Sequence, residues 1–550
     1  MNKRNLVLLV VALLASSVQA KTHSDKTFMS VRSVDANQTM RLAGWHTQQG
    51  KTAEEKCGTS LQATGFYRES TNAKQLGQYF SSTDLSSPYT KHDFISVNNN
   101  SSSDAQFLTQ NILHVAGGAP ALGSSVSNEV SGGARTLSSK LVFRPQYSAA
   151  GLDLAWNQRL DKITEGLWLR VALPIANVQT TMGMRVSGTE ATQNLAVGIV
   201  QGARATSDAL NTLIGAKLTG AAVSFSSFMN GDVSNTDTSN LQSALTAGKV
   251  NTASRSKTAL ADINVMLGYD VYNQENHRVG INLAFVIPTG SESKGEFLFE
   301  PVSGYNGHWL LGCGVDADLR IWTDKKHDDR SLSFLAVADY RYMFEATEKR
   351  MASFSFRNSS STNEMPQYML GGQVNTTVGQ NLFPLANVLT RDHNVTPGSA
   401  FEMTTAFALC WDNFVFDTGY NLFYKETEKV SVRSWSEDTY GAILNQFPTF
   451  NAVTVGSFQG GNVGTEDQYA LGTGVVTLSG SSYNGSIRKS DLIMPITPSV
   501  LTHKVFGQAS YIFKDCEFPV MLSCGGSYEF ASDNAAVSVW GINGKIGVSF

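Results

Sequence analysis

The stretch Trp540-Gly-Ile-Asn-Gly-Lys-Ile-Gly-Val-Ser-Phe550 closes the chain and carries the main indication of its fold class. Its large apolar residues fall on alternate positions: Trp540, Ile542, Ile546, Val548 and Phe550. Successive side chains of a β-strand point to opposite faces, so one face of this stretch is apolar and the other is polar. The pattern predicts a half-buried strand, which fits a soluble sheet and a membrane barrel equally well.

The first twenty residues have the composition of a secretory signal peptide. A basic start, Met1-Asn-Lys-Arg4, precedes an apolar run at 6–15 and the small-residue ending Val18-Gln-Ala20. Such a run is too short to cross a bilayer as a helix, and no later run approaches the roughly eighteen apolar residues that a spanning helix needs. We therefore expect residues 1–20 to be a signal peptide and the mature chain to have no helical membrane span.

Composition and charge narrow the class of protein. The chain of 550 residues has 48 glycines, 13 prolines and a formal net charge of −4, and this near-neutral charge gives no reason to expect nucleic acid as a partner. The five cysteines are scattered, with no C-x-x-C pair, and we expect them to be isolated small apolar residues. A bridge between Cys57 and Cys516 stays open at this point.

Long alternating segments recur from residue 139 onward. In 331–345, for example, Phe334 and Tyr340 share one face while Asp339 and Arg341 share the other. Soluble strands average about five or six residues, whereas a tilted strand that crosses a bilayer needs about nine to eleven, and these segments have the greater length. They predict twelve strands, at about 139–147, 150–160, 166–183, 259–272, 278–289, 307–322, 331–346, 397–411, 414–429, 500–513, 518–530 and 535–550.

The connections between these segments favour a membrane barrel over a soluble sandwich. If the last strand ends in the periplasm, every connection on that side is short: 160–165, 273–277, 323–330, 412–413 and 514–517. The long connections then lie on the other side, at 184–258, 290–306, 347–396 and 430–499. Short periplasmic turns and long external loops are typical of outer-membrane barrels. The sequence thus predicts an all-β protein, a transmembrane antiparallel β-barrel with long extracellular loops.

Aromatic residues are expected at both membrane interfaces of such a barrel. Near the inner rim the sequence places Trp156, Trp411, Phe414, Phe513, Phe518 and Phe550. Near the outer rim it places Tyr147, Trp309, Tyr342, Phe344, Phe401, Tyr424 and Phe530.

Taken together, the signal peptide, the glycine-rich alternating strands and the closing stretch 540–550 resemble a Gram-negative outer-membrane β-barrel protein over residues 139–550. The stretch 283–290 is similar to a feature of porin-like solute channels and hydrophobic-substrate transporters, and the chain also resembles uncharacterised barrel proteins of intracellular bacteria. The resemblance implies a location in the outer membrane, in contact with lipid and lipopolysaccharide, and assembly by the barrel-insertion machinery. In the proteins that it resembles, a terminal aromatic residue is read by that machinery, which makes Phe550 the expected assembly residue.

The N-terminal region, residues 21–138, has several interpretations. It could be a periplasmic arm, a plug of the pore, or the first two strands of the barrel, at 59–68 and 106–115. The last choice raises the strand number to fourteen. The long loop 184–258 carries helical patterns at 191–217 and 238–249 and could be a lid over the pore or a surface cap.

Charged residues on the second face of the strands are expected to line the lumen. The positive members are Arg144, Arg159, Arg170, Arg278, Arg320, Arg341, Lys425, Lys504 and Lys545. The negative members are Asp153, Asp262, Asp270, Asp316, Asp318, Asp339, Glu345, Glu402 and Asp417. Because the two signs are equal in number, we expect a charge network that braces the wall, which is also compatible with a lining that sorts solutes by charge.

Other chemistry is weakly indicated. There is no H-E-x-x-H motif, no zinc-ligand spacing and no G-x-S-x-G elbow, so we expect no metal, no cofactor and no enzyme activity. Two strands share the ending Thr-Glu-Lys, at 347–349 and 427–429, and the sequence places these charges at the lipid head groups or at the bases of the loops. Two functions remain: a narrow passive channel or transporter for small solutes, or a surface structural or adhesive protein whose barrel anchors its long loops.

Overall fold

Alternating strands close into a barrel in the computed structural model of the protein. The model describes residues 27–34, 38–44, 58–81, 94–98, 138–188, 225–232, 243–354 apart from 275 and 328, 366–368, 370–373, 383–442 apart from 438, and 486–550 apart from 515 and 533–535. The predicted signal peptide and the predicted strand at 106–115 lie outside these residues.

Within this part of the chain, twelve antiparallel strands form the barrel. In chain order they are β1 (Thr59–Ser70), β2 (Gln146–Arg159), β3 (Leu167–Thr181), β4 (Ile263–Gln274), β5 (His277–Ile287), β6 (Leu310–Thr323), β7 (Ser331–Met343), β8 (Gly398–Trp411), β9 (Phe414–Lys425), β10 (Val500–Phe513), β11 (Val520–Ala531) and β12 (Val539–Ser549). Each strand pairs with its neighbours in sequence, and β12 pairs with β1. Closure removes every free sheet edge, which is the condition for a sheet to span a bilayer.

The seam between β1 and β12 is held to its last residue. The register runs from Ser60 opposite Ser549 to Ser70 opposite Val539. Beyond the last pair, the backbone N–H of Phe550 donates to the carbonyl oxygen of Thr59 over 2.9 Å, and the N–H of Thr59 donates back over 3.1 Å. The C-terminal residue therefore belongs to the closure of the barrel.

The barrel begins at Thr59, which agrees with the alternative of a strand at 59–68 and replaces the boundary at residue 139. The segments 139–147 and 150–160, predicted as two strands, contribute one barrel strand, β2, and the preceding strand Ser138–Val142 belongs to a small sheet outside the barrel. No turn separates the two predicted segments, and Gly151 lies within β2, where a Cβ atom would meet Ile175 O at 2.2 Å and the ring of Phe66 at 2.9 Å. The glycine makes room for a neighbouring ring and does not reverse the chain.

The two ends of the barrel differ. At one, the turn end, short connections join β2 to β3, β4 to β5, β6 to β7, β8 to β9 and β10 to β11. At the other, the loop end, all the long connections emerge, as the sequence predicts. Among the described residues no helix is long and apolar enough to cross a membrane.

At the loop end the described parts of the long connections fold into a cap. Its strands are Phe94–Asn98, Ser138–Val142, Arg185–Gly188, Ala346–Met351, Ser353–Phe354, Leu370–Gln373, Phe383–Pro384, Thr390–Thr396, Lys429–Val432, Tyr440–Ala442 and Leu492–Ile493, while the strand Arg255–Leu260 pairs with the loop-end half of β3 in the barrel sheet. Its short helices are Ala73–Ser81, Phe225–Asn230 and Ala386–Leu389, with 3-10 turns at Pro366–Tyr368 and Lys489–Asp491. Buried residues such as Phe143, Phe299 and Tyr368 form one apolar cluster in this region. The predicted helix at 238–249 is wrong in its described part, because 243–248 carry no helix.

The outer face of the wall is apolar. Large side chains there are about half exposed, among them Ile281 (48%), Phe416 (47%) and Ile546 (52%). All the aromatic residues predicted for the inner rim are exposed at the turn end, but Tyr147, predicted for the outer rim, is only 3% exposed and accepts a hydrogen bond from Arg68. Tyr147 is the second residue of β2, which begins at Gln146, and its side chain faces inward.

Candidate functional site: the barrel lumen

A stretch of chain that precedes β1 lies inside the barrel. We call residues 27–34 and 38–44 the lumen segment. Arg32 Nη1 lies 2.9 Å from Glu529 Oε1, and its second amino group binds Glu402. Both carboxylates face inward near the loop end and are less than a tenth exposed. Arg32 therefore ties the segment to β8 and β11 at once.

The middle of the segment is the short helix Gln38–Leu42. Gln38 Nε2 donates to Asp339 of β7, and its Oε1 accepts a hydrogen bond from Thr404 Oγ1 over 2.8 Å. Arg41 Nε lies 2.9 Å from Asp153 Oδ2 of β2. The helix thus spans the lumen between walls that are far apart in sequence.

The last part of the segment is held near the turn end. The backbone N–H of Gly44 donates to Asp417 Oδ2 over 2.8 Å, and Lys545 Nζ donates to the carbonyl oxygen of Ala43 over 2.7 Å. Gly44 has a φ of +72°, and a Cβ there would lie 2.4 Å from Ser510 Oγ. Only glycine allows both the positive φ and the close approach of Ser510. The segment therefore runs down the lumen from the loop end and ends in close contact with β10.

Most of the predicted lumen set does face the lumen. The members on inward positions of barrel strands are Asp153, Arg159, Arg170, Asp270, Arg278, Asp316, Asp318, Arg320, Asp339, Arg341, Glu402, Asp417, Lys425, Lys504 and Lys545. Several bind one another: Arg278 lies 2.9 Å from Asp270 and 2.7 Å from Asp316. Arg159 also binds Asp270. Carboxylates and cations that are removed from bulk water are stabilised in this way by neighbours of opposite sign.

Three predicted members lie elsewhere, and each is corrected. Arg144 precedes β2 and donates to the carbonyl oxygen of Phe143. Asp262 precedes β4 and is fully buried at the loop end, where it accepts the backbone N–H of Gly290 over 2.8 Å. Glu345 is exposed beyond the end of β7. These three positions lie past the ends of the barrel strands, where the period of two no longer holds.

A second charged cluster lies where the cap meets the barrel. Arg350 is 1% exposed, and its guanidinium binds Glu348 at 2.9 Å and Glu428 at 2.7 Å. Glu428 also binds Lys425 at 2.7 Å, and Glu348 binds His308 Nε2 at 2.6 Å. We call these five residues the cap cluster.

Burial alone would raise the pKa of Glu428, but the nearby cations Arg350 and Lys425 outweigh it and hold the pKa well below its ordinary value. The pKa of Glu348 is lowered for the same reason, by Arg350 and His308. Both glutamates are therefore anions that close a buried network. The ring of Phe28, from the lumen segment, lies 3.8 Å from the Arg350 guanidinium and joins the segment to this network.

The shared Thr-Glu-Lys endings were a sequence indication of this cluster. The sequence predicts Glu348 and Glu428 at the lipid head groups or the loop bases, and the structure places both at the buried base of the cap. Lys349 and Lys429, one residue later, are exposed. Arg32 and Arg41 carry no such indication, because their partners are distant in the sequence, and the same holds for the pair of Arg350 with Glu428, 78 positions away.

No cluster of three or more His, Cys, Asp or Glu side chains that could hold a metal ion occurs in the described ranges. The cysteines among these residues, Cys313, Cys410, Cys516 and Cys524, are free, and Cys57 lies outside them.

Comparisons with known proteins give distant likenesses. No protein-family model and no curated protein matches the chain. Among solved structures, an outer-membrane channel from Pseudomonas putida F1 aligns with a TM-score of 0.34 and 9% identity, over 90% of this chain and 95% of that chain. The toluene transporter TodX of Pseudomonas putida aligns with a TM-score of 0.32 and 7% identity, over 97% and 98%. A FadL homologue of Pseudomonas aeruginosa aligns with a TM-score of 0.25 and 7% identity, over 90% and 89%. These scores do not identify a family.

The class of the protein follows from the barrel itself. A closed antiparallel barrel with an apolar outer face, exposed aromatic residues at the turn end, short turns at one end and long loops at the other is built to span a bilayer. Its strands are of the length that a tilted crossing requires. The chain is an outer-membrane β-barrel protein, with β-strands as its transmembrane elements.

Proposed function

We propose that this protein is a narrow outer-membrane channel for small polar solutes, held closed by its lumen segment. The main support for this proposal is that the lumen segment, which is fixed by polar contacts, lies inside a lumen lined by charged residues. A barrel of twelve strands is wider than an eight-stranded barrel, which side chains just fill, and narrower than open porins of sixteen to eighteen strands. Without the segment, such a lumen would be a polar passage.

The attachment of the segment suits a closure that can be released. Its anchoring contacts with the wall include ion pairs, those of Arg32 with Glu402 and Glu529 and of Arg41 with Asp153. Contacts of this kind weaken when water enters, because water can solvate both partners. Release of the segment therefore breaks these polar contacts and also uncovers Met29, Val34 and Ala43, which are buried in apolar clusters.

The cap supplies the outer side of the passage. A cavity of about 100 Å³ lies between the cap and the first part of the segment, with Phe28, Arg32 and Phe423 in its lining. A solute that enters from the loop end meets this space first. Phe28 and Arg350 then couple the cap to the segment, so movement of the cap acts on the closure.

Planar-bilayer recording tests this proposal. Wild-type protein is expected to show low conductance, and deletion of residues 27–44 is expected to raise it to that of a pore of twelve strands. Substitution of both anchors, Arg32→Ala with Arg41→Ala, is expected to give frequent openings. The control is Arg330→Ala, which removes an exposed pair with Asp412 at a turn. Equal conductance in all four proteins would disprove the closure.

One observation favours the second function, a surface structural or adhesive protein. The cap packs into a buried apolar cluster that it shares with the loop ends of barrel strands, so it is a folded body and not a set of solvated loops. Liposome swelling separates the two functions, because a channel admits small sugars once the segment is deleted and a sealed anchor does not. Persistent sealing of the deletion variant would support the anchor.

A further inference from the structure

One side of the lumen holds a cavity that the lumen segment leaves open. We call this space, of about 50 Å³, the lumen chamber; its polar lining includes Arg170, Asn264, Asn282, Asp316, Asp339 and Arg341. These residues come from the consecutive strands β3 to β7, whereas most anchors of the segment lie on the other strands. A buried water molecule needs about 10–15 Å³ of such space, so the chamber has room for about four water molecules.

Several residues that line this space carry buried polar atoms without hydrogen-bond partners in the described part of the chain. Asn264 is 1% exposed, and neither its amide nitrogen nor its amide oxygen has a hydrogen-bond partner within the described part of the chain. The same holds there for Asn282 Oδ1, Asp316 Oδ1 and Asp339 Oδ1. Burying such atoms without partners is unfavourable by about 1–3 kcal/mol each. A chamber lined by them is therefore a site for a hydrogen-bonding guest.

The side chains of Asn282 and Asp339 approach each other because the residue between them on β6, Gly314, has no side chain. Gly314 faces the lumen from β6, opposite Asp339 on β7 and Asn282 on β5. A Cβ at Gly314 would lie 2.1 Å from Asp339 Oδ1 and 2.9 Å from Asn282 Nδ2. The carboxylate of Asp339 and the amide of Asn282 occupy the space that a side chain at Gly314 would fill. Their positions determine the shape of the chamber on this side.

From this arrangement we infer that the lumen chamber binds a small polyhydroxylated solute. The free atoms are mostly acceptors, Asn264 Nδ2 is a free donor, and the lining also contains arginines. A hydroxyl group donates and accepts at once, so a short polyol satisfies both kinds of atom, whereas an ammonium group only donates. The inference rests on the proposed channel and names the class of solute that it recognises.

Equilibrium binding to the purified full-length protein in detergent tests the inference. The probes are radiolabelled erythritol and putrescine, which have the same number of carbon atoms but carry hydroxyl groups or ammonium groups. Erythritol is expected to bind saturably. Asn264→Leu is expected to weaken binding about tenfold, which corresponds to the loss of one or two hydrogen bonds. Gly314→Ala is expected to weaken it as well, because its methyl group displaces Asp339.

The matched control is Gly544→Ala, which adds the same methyl group on the lipid face, where its nearest neighbour is Ser523 O at 3.9 Å. Heat-modifiable mobility in gels verifies that each variant is folded. Absence of saturable erythritol binding, binding of putrescine in its place, or full binding in folded Asn264→Leu and Gly314→Ala would each overturn the inference. Erythritol binding to the wild-type protein, without uptake into liposomes that carry the variant lacking residues 27–44, would contradict the channel and leave the chamber standing. Non-saturable uptake of erythritol by that variant, with no saturable binding to the wild-type protein, would contradict the chamber and leave the channel standing.

Discussion

Arg32 Nη1 lies 2.9 Å from Glu529 Oε1, although 497 positions separate the two residues in the chain. The contact joins the part of the chain that precedes the barrel to one of the last strands that close it. It can form only after β11 is in place, so the lumen segment is held by the finished barrel and takes no part in the wall itself.

We expect Arg32→Ala to destabilise the protein and to loosen the lumen segment. The change leaves Glu402 and Glu529 without this cation in a buried site, and removal of one partner of a buried pair lowers the free energy of unfolding by about 3 kcal/mol. Lys504 remains 3.0 Å from Glu529 and limits the loss. Urea titration in detergent measures it. Lys514→Ala, at an exposed pair with Asp329, is the control and should change little.

We expect the cap to lose stability between pH 6.5 and pH 4 because of His393. Burial lowers the pKa of His393 to about 4, from an ordinary value of 6.5. Because the folded-state pKa is the lower one, the neutral ring favours the folded state above pH 6.5, and this stability falls as the pH drops through the folded-state value. The loss by pH 4 is about 3 kcal/mol.

Limited proteolysis of the cap across this pH range measures the loss. His393→Leu should remove the loss of stability between pH 6.5 and pH 4. The further loss of stability below pH 4.5 should remain in this variant. It comes from Glu348 and Glu428, because the pKa of each is lowered in the folded state. An unchanged step in the variant would assign it to another group.

We expect Phe550→Asp to reduce the outer-membrane yield sharply while export to the periplasm continues. The backbone of Phe550 pairs with Thr59 at the seam, and its ring lies 6.1 Å from that of Phe518 at the lipid-facing rim. Phe550→Trp should retain assembly, and Phe518→Asp tests whether any rim aromatic matters as much. Fractionation and heat-modifiable mobility provide the measurement. Wild-type yield of Phe550→Asp would refute the role of this residue.

We expect cysteines placed at two adjacent positions of β7 to label differently. Phe334 faces the lipid and packs against Phe407, whereas Leu335 is 1% exposed and faces the lumen. In a background without native cysteines, a lipid-soluble maleimide should label Phe334→Cys and spare Leu335→Cys. Reversed labelling would mean that the register of the strand is shifted by one residue.

We expect the double change Arg320→Gln and Arg341→Gln to shift the selectivity of the opened pore toward cations. Arg341 lies 3.6 Å from Asp339 and should account for most of the accompanying loss of stability, about 3 kcal/mol, because it is buried. Arg320 donates to Asn276 Oδ1 at the turn end and should act mainly on selectivity. Reversal-potential measurements and thermal melts decide this. Unchanged selectivity together with unchanged melting would contradict the assignment of both residues to the lumen.

Much of the wall could be predicted from local pattern. The strand predicted at 331–346 is β7, Ser331–Met343, and the strand predicted at 500–513 is β10 with the same bounds. Alternation is a property of neighbouring residues, and a bilayer demands that it last for the whole crossing, so it is readable without knowledge of any partner. The same pattern placed Asp339 and Arg341 on the lumen face and made Phe550 the last residue of the seam.

Only the tertiary structure decided which segments complete the barrel and what fills it. Thr59–Ser70 becomes a wall strand because β2 and β12 both need a partner, and Gly151 sits inside a strand because Phe66 needs its space. Arg32, Arg41 and Arg350 acquire their partners across the closed lumen or the folded cap. Such charge pairs depend on the register of strands that are distant in the sequence, and no local period encodes that distance.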